Sequence, residues 1–90
     1  SGIPVPSLPQ EAELVGAHHA AILSHHGSHH GNRIARKHMG WVIERLAERR
    51  LLDQPAAAYW RVRLQRTDDN ATVAEGLREL YADVLLREAA

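Results

Sequence analysis

Arg33, Arg36 and Lys37 place three fixed positive charges within one short run, Arg33-Ile34-Ala35-Arg36-Lys37-His38-Met39-Gly40-Trp41. Read at 3.6 residues per turn, Ile34, His38, Trp41 and Val42 fall along one stripe, and the three cations fall with Gly40 on the opposite side. Such cations neutralise phosphates and release counterions, which gives binding that weakens with salt. A polyanion suits this face better than a small substrate, and RNA is the polyanion expected. Trp41 is expected to be the central packing residue of its helix and not a base-stacking platform. His38, between Ile34 and Trp41, is expected to be a core or rim histidine with a hydrogen-bond partner. Gly40 costs a helix roughly 1 kcal/mol relative to alanine. Its place is explained by close approach of another backbone, first of all a neighbouring helix.

A second constellation is His18-His19, His25-His26 and His29-His30. His25 and His29, or His26 and His30, would share a face if helix continued through Gly27. A Zn²⁺ or Ni²⁺ site needs three or four converging ligands. Gly27 is expected to break the helix, and no cysteine or nearby carboxylate completes a typical set. A solvated histidine surface is favoured, with a His-rich metal-binding domain as an alternative. Protonated below about pH 6.5, these imidazoles would add to the attraction for anions. A protein-docking module using Val5, Leu8 and Leu51-Leu52 is a further alternative. DNA binding is not expected, because the tight spacing of a helix-turn-helix is not evident.

Ninety residues make one domain near the lower size limit for an unaided core. With no cysteine there is no disulfide framework, thiolate metal site or thiol nucleophile. No apolar run approaches the ~20 residues of a membrane span, and no leader pattern precedes a cleavage site. A cytoplasmic protein without membrane partners is expected. The formal net charge is zero, but residues 32–50 carry six basic groups against Glu44 and Glu48. Arg61, Arg63 and Arg66 add to that positive stretch, whereas from Thr67 onward six carboxylates face Arg78 and Arg87. One end of the domain should therefore attract phosphates.

Helices must position these groups. Ile3-Pro4-Val5-Pro6 should be extended, so residues 1–7 are expected to be a linker from a missing N-terminal domain. The opening Ser1-Gly2, without methionine, suggests a piece of a longer polypeptide. Ser7-Leu8-Pro9-Gln10 has the form of a capping box. The helix it opens should run to about His26, with Leu14, Ala17, Ala21, Ile22 and Leu23 inward. Gly27 stops it, Ser28 can cap the next, and a second helix should cover about His29 to Arg50. Asp53 with Pro55 starts a third, with Ala57, Trp60 and Leu64 inside. Thr67-Asp68-Asp69-Asn70 breaks that helix and caps a fourth, whose inner stripe is Val73, Leu77, Leu80, Tyr81 and Val84. No strand is expected. The fold class is all-α, a small antiparallel four-helix bundle over residues 8–88.

The run from Arg33 to Trp41 resembles the signature of the C-terminal helical domain of bacterial tRNA-dihydrouridine synthases, a family whose members are also labelled nitrogen-regulation proteins. His25-His26-Gly27 is similar to the family's His-Tyr-Gly. Asn32-Arg33, Tyr59-Trp60-Arg61, Arg66-Thr67-Asp68 and the helix opened by Val73 extend the resemblance over roughly residues 12–88. The family reads Trp-Tyr where this chain has Trp41-Val42, and the alanine-rich stretch from Gln54 to Ala58 is looser than the family pattern. The resemblance implies a parent enzyme that reduces selected uridines of tRNA with FMN held in an N-terminal β/α barrel. It also implies a barrel cysteine as proton donor and NADPH to recharge the flavin. No cofactor is expected in this chain itself. Its implied partners are tRNA and its own flavin barrel. Arg33, Arg36 and Lys37 would hold phosphates, with Arg63 and Arg66 as weaker candidates, and such contacts position RNA rather than read its sequence.

Overall fold

The computed structural model describes residues 5–66 and 69–89, with the backbone alone at 28 and 29. Helix α1 spans Leu8–Glu48 and is broken at Gly27, whose φ of 77° and ψ of 169° lie outside the helical region. A positive φ of this size suits glycine, which has no Cβ to clash. The break divides α1 into two arms, residues 8–26 and 28–48. Helices α2 (Gln54–Gln65) and α3 (Asn70–Ala89) complete an all-α fold of four helical segments.

The caps lie where the sequence places them. Ser7 Oγ accepts from the Gln10 N–H at 3.3 Å, and Gln10 Oε1 accepts from the Ser7 N–H at 2.9 Å. This reciprocal pair satisfies two N–H groups that a helix start leaves open. Asp53 Oδ1 accepts from the Ala56 N–H at 2.8 Å and opens α2. Asp69 Oδ1 accepts from the Ala71 N–H at 3.1 Å, and the Thr72 hydroxyl donates to Asp69 Oδ2 at 2.6 Å, at the start of α3. The expected roles of Ile3, Pro4, Thr67 and Asp68, and the side-chain roles of Ser28 and His29, fall outside the described residues.

The segments alternate in direction. Near the turn, a Cβ added to Gly31 would lie 3.2 Å from the Leu23 Cα, so the two arms of α1 touch backbone to backbone there. Farther along, His18 meets His38 with ring centroids 4.4 Å apart. At the open end Arg49 donates to Glu11 at 2.8 Å. Helices α2 and α3 form a second antiparallel pair, in which Trp60 Nε1 donates to Asp83 at 3.0 Å and Arg87 reaches Asp53 at 3.5 Å. The two pairs are joined where the Tyr81 hydroxyl donates to Glu11 at 2.8 Å and Gln65 Nε2 donates to the Arg36 carbonyl at 2.9 Å.

Met39, Val42, Ile43, Leu46, Ala57, Trp60, Leu64, Leu77, Leu80, Tyr81 and Val84 form the buried core. The inner stripes of α2 and α3 match expectation, but both arms of α1 are rotated from it. In the first arm Leu14 is 61% exposed and Ala17 and Ala21 face outward. Ile22 is buried as expected, but it is joined by Leu8, Ala12, Val15 and His19, at alternating spacings of four and three. In the second arm Ala35, Met39, Val42, Ile43 and Leu46 face the core, and Trp41 is 54% exposed. Ile34, His38 and Trp41 lie on the adjacent stripe, which shares Val42 and Leu46 with the true one. The inner face of this arm is taken by Met39, Ile43 and Leu46, all fully buried, which leaves the indole of Trp41 on the outer side.

Candidate nucleic-acid interface

The middle turns of the second arm carry the cations. Arg33 and Lys37 are exposed, and neither takes part in an ion pair among the described residues. Arg36 is half-buried where Gln65 caps its carbonyl. Together with His30 and Ile34, the three cations line an open trough of about 280 Å³. Gly40 lies one turn beyond Arg36, and a Cβ there would come within 2.6 Å of Gln65 Nε2. The close approach that Gly40 permits is thus to the side chain of a neighbouring helix.

The other two candidate cations separate. Arg66 is the exposed C-cap of α2, and it follows Gln65 directly, which brings it to the end of the bundle where Arg36 lies. Arg63 instead faces α3. Its guanidinium pairs with Glu79, donates to the Tyr59 hydroxyl at 3.4 Å and lies over the Trp60 ring at 5.7 Å. The Tyr59 hydroxyl first, and then the Glu79 carboxylate, favour its charged form. A cation already matched by a carboxylate offers less to a phosphate.

Trp41 departs from its expected place in the core, and half-buried His38 lies at the rim beside it. Trp41 stands exposed one turn after Lys37, with the Arg45 guanidinium 5.0 Å from its ring centroid. His38 lies nearly parallel to the indole, at 21° and 6.1 Å, and is itself met edge-on by His18. The spacing Arg33, Lys37, Trp41, Arg45, each four residues on, was the available signal: such a series follows one face of a helix. Its outward direction could be recognised only by preferring Ala35, Met39 and Ile43 over bulkier neighbours as the inner stripe. Val42, the departure from the family's Trp-Tyr, is buried and belongs to the core rather than to the contact surface.

His38 does not find the hydrogen-bond partner expected of it. Its Nε2 and that of buried His19 are both without one among the described residues. Burial lowers the pKa of each, and the nearby His18 and His19 lower that of His38 further. His26 and His30 sit with ring centroids 5.5 Å apart. Among the described residues no group of three or more histidines and carboxylates is placed to hold a metal ion. No helix among them is long and apolar enough to cross a membrane.

An all-α hairpin bundle with a cationic trough open to solvent is the class of surface that suits an extended anion. Along nearly its whole length the chain is similar to one segment of proteins named probable tRNA-dihydrouridine synthase. Those from Rickettsia bellii and Rhodobacter capsulatus are 33% and 36% identical to it over 85 and 86 residues, or 94% and 96% of this chain. One from Rickettsia conorii is 32% identical over 80 residues, 89% of the chain. The chain spans less than a quarter of these relatives' length, 24%, 22% and 22% respectively. No family profile and no solved structure matches it.

Proposed function

We propose that this chain grips tRNA for a flavin-dependent uridine reductase, of which residues 8–88 form the tRNA-binding domain and residues 1–7 the linker to an N-terminal barrel. The observation that carries the reading is the trough of Arg33, Arg36 and Lys37, on a chain whose relatives are named for tRNA modification. Arg33 and Lys37 hold phosphates directly, Arg36 and Arg66 extend the grip, and Arg63 contributes least because Glu79 already neutralises it. RNA gripped through its backbone is positioned without being read, so the same surface can serve every molecule of one shape.

The depression between α2 and α3 does not fit FMN: it is lined by Asp53, Glu79, Asp83 and Arg87, and Arg87 is already paired with Asp53 and Asp83, so a flavin phosphate meets no unmatched cation there. Flavin chemistry, with NADPH as the source of electrons, belongs to the rest of the parent protein in this reading, and the setting is the cytoplasm.

Filter binding of tRNA to the 90-residue chain tests the proposal. About four phosphate contacts give a slope of log affinity against log salt near −3. Arg33→Ala with Lys37→Ala removes two of them, so affinity should fall at least tenfold and the slope should flatten while melting stays unchanged. Affinity that ignores salt, or a double variant that binds like the parent, would refute it.

A further inference from the structure

Trp41 is the largest apolar side chain on the surface of the second arm, and nothing in the core requires it there. It lies outside the buried cluster, yet its position is fixed. Arg45 lies over the ring at 5.0 Å, and His38 flanks it within 6.1 Å, braced in turn by His18. One turn toward the N-terminus on the same face stands Lys37, and one turn further Arg33. Each step of four residues advances about 6 Å along the axis. Toward the C-terminus the character changes, because Glu44 and Glu48 share the outward face with Arg45. The indole therefore marks the boundary where the purely cationic surface ends. Beside it opens a cleft of about 160 Å³ that Val15, Val42 and Tyr81 help to line, room for a ring system rather than for a whole nucleotide.

We propose that Trp41 is the nucleobase-contacting residue of this surface: an unpaired base stacks on the exposed indole while its neighbouring phosphates rest on Lys37 and Arg33. This rests on the reading of the trough as an RNA grip, and deepens it by specifying a single-stranded element, a loop or a splayed-out base, as the part of the RNA that meets the second arm. Charge favours this occupant over a protein segment. An aromatic surface that continues directly into fixed cations suits a chain of stacked rings and phosphates, and every base has a face on which an indole can stack. Arg45 and His38 act as positioning residues that hold the ring ready, so little side-chain freedom is lost on binding.

The 90-residue chain, Trp41→Leu, Trp41→Phe and the Arg33→Ala, Lys37→Ala double variant are compared by binding and indole fluorescence, with four probes: tRNA, single-stranded oligouridylate, an RNA duplex without unpaired bases, and inorganic polyphosphate. Oligouridylate should quench the parent's emission and leave that of Trp41→Leu unchanged, since Trp60 is buried. Affinity for tRNA should fall about tenfold in Trp41→Leu, the scale of one lost base–aromatic stack, and stay near the parent's value in Trp41→Phe. Affinity for duplex and polyphosphate should be the same in the parent, Trp41→Leu and Trp41→Phe, and lower in the double variant. If Trp41→Leu binds tRNA like the parent while the double variant does not, the stacking proposal is overturned and the grip stands. Equal loss of polyphosphate binding in Trp41→Leu would also overturn it, by showing general damage to the surface. Self-association that vanishes in Trp41→Leu with RNA binding intact would make the indole a protein contact instead. Absence of tRNA binding even at low salt removes both readings together.

Discussion

The indole of Trp60 is 6% exposed, donates to Asp83 and belongs to the buried core cluster. The indole of Trp41 is 54% exposed and is flanked by Arg45 and His38. Nothing in the identity of the residue separates these two cases. Tryptophan is rich in apolar area, and a stripe containing it reads as an inner stripe whenever a register one residue away shares its other members. Trp60 was legible because Ala57 and Leu64 fix its helix face without a competitor. Trp41 was not, because Val42 and Leu46 serve either register and the true one runs through the less conspicuous Ala35, Met39 and Ile43. The distinction has a direct energetic consequence. A 90-residue domain is stable by about 5–13 kcal/mol. Trp60→Ala should remove about 3–5 kcal/mol of that by leaving a cavity and an Asp83 Oδ2 without its indole donor, Oδ1 keeping Arg87. Trp41→Ala should cost no more than about 1 kcal/mol, as surface changes do. Urea denaturation of the two variants checks this, and a Trp41→Ala chain that is as unstable as Trp60→Ala would place the indole in the core after all.

At the scale of the helices, starts were more legible than faces. Ser7 with Gln10 and Asp53 with Pro55 act through local geometry, in which a side-chain oxygen two or three residues upstream meets an open N–H. Such signals need no knowledge of the neighbours. The end of the second arm shows the opposite case. Arg50 adopts φ 60°, its N–H donates to the Ala47 carbonyl at 3.0 Å, and the Leu51 N–H donates to the Leu46 carbonyl at 2.9 Å. This is the paired closure that usually has glycine at the left-handed position. With arginine there, no residue-type signal announces it. Residues with a Cβ pay roughly 1–2 kcal/mol in that conformation. Arg50→Gly should therefore raise stability by about 0.5–1 kcal/mol, after allowance for the greater freedom of glycine in the unfolded chain. Thermal melts should show a rise of a few degrees, ~4–8 °C per kcal/mol for a domain of this size. A fall would mean that Arg50 makes a compensating contact through its side chain.

At the scale of the whole molecule, the inner ends and middle of the bundle are closed by polar groups that are sensitive to pH in different ranges. At the open end Glu11 accepts from both Arg49 and Tyr81, which ties the first arm to the second and to α3. Burial, and then the Glu11 carboxylate, push the Tyr81 hydroxyl well above its ordinary range, so it keeps the proton that it donates to Glu11. Between the arms, however, His19 and His38 are packed with Nε2 atoms that have no partner among the described residues. The groups facing them include His18 and Trp41 at His38, and Asn32, Arg36 and Val73 around His19. None of these is an anion that could stabilise an imidazolium. Both histidines accordingly have native pKa values below the ordinary 6.5. A lowered value means that the unfolded chain takes up protons first as pH falls. Stability should thus be full above about pH 6.5 and decline below it, until the depressed native values are reached. Melting curves at pH 8, 7, 6 and 5 should show that decline, and His19→Leu should flatten it by exchanging an unsatisfied polar ring for an apolar side chain that the same interior accepts. The decline also sets how the two uses of the histidines compete: acidity adds positive charge beside the cationic face, but it does so by charging the groups that hold the arms together. If His19→Leu left the pH profile unchanged, His38 alone would carry the effect, and the position of the indole it braces would itself become pH-dependent.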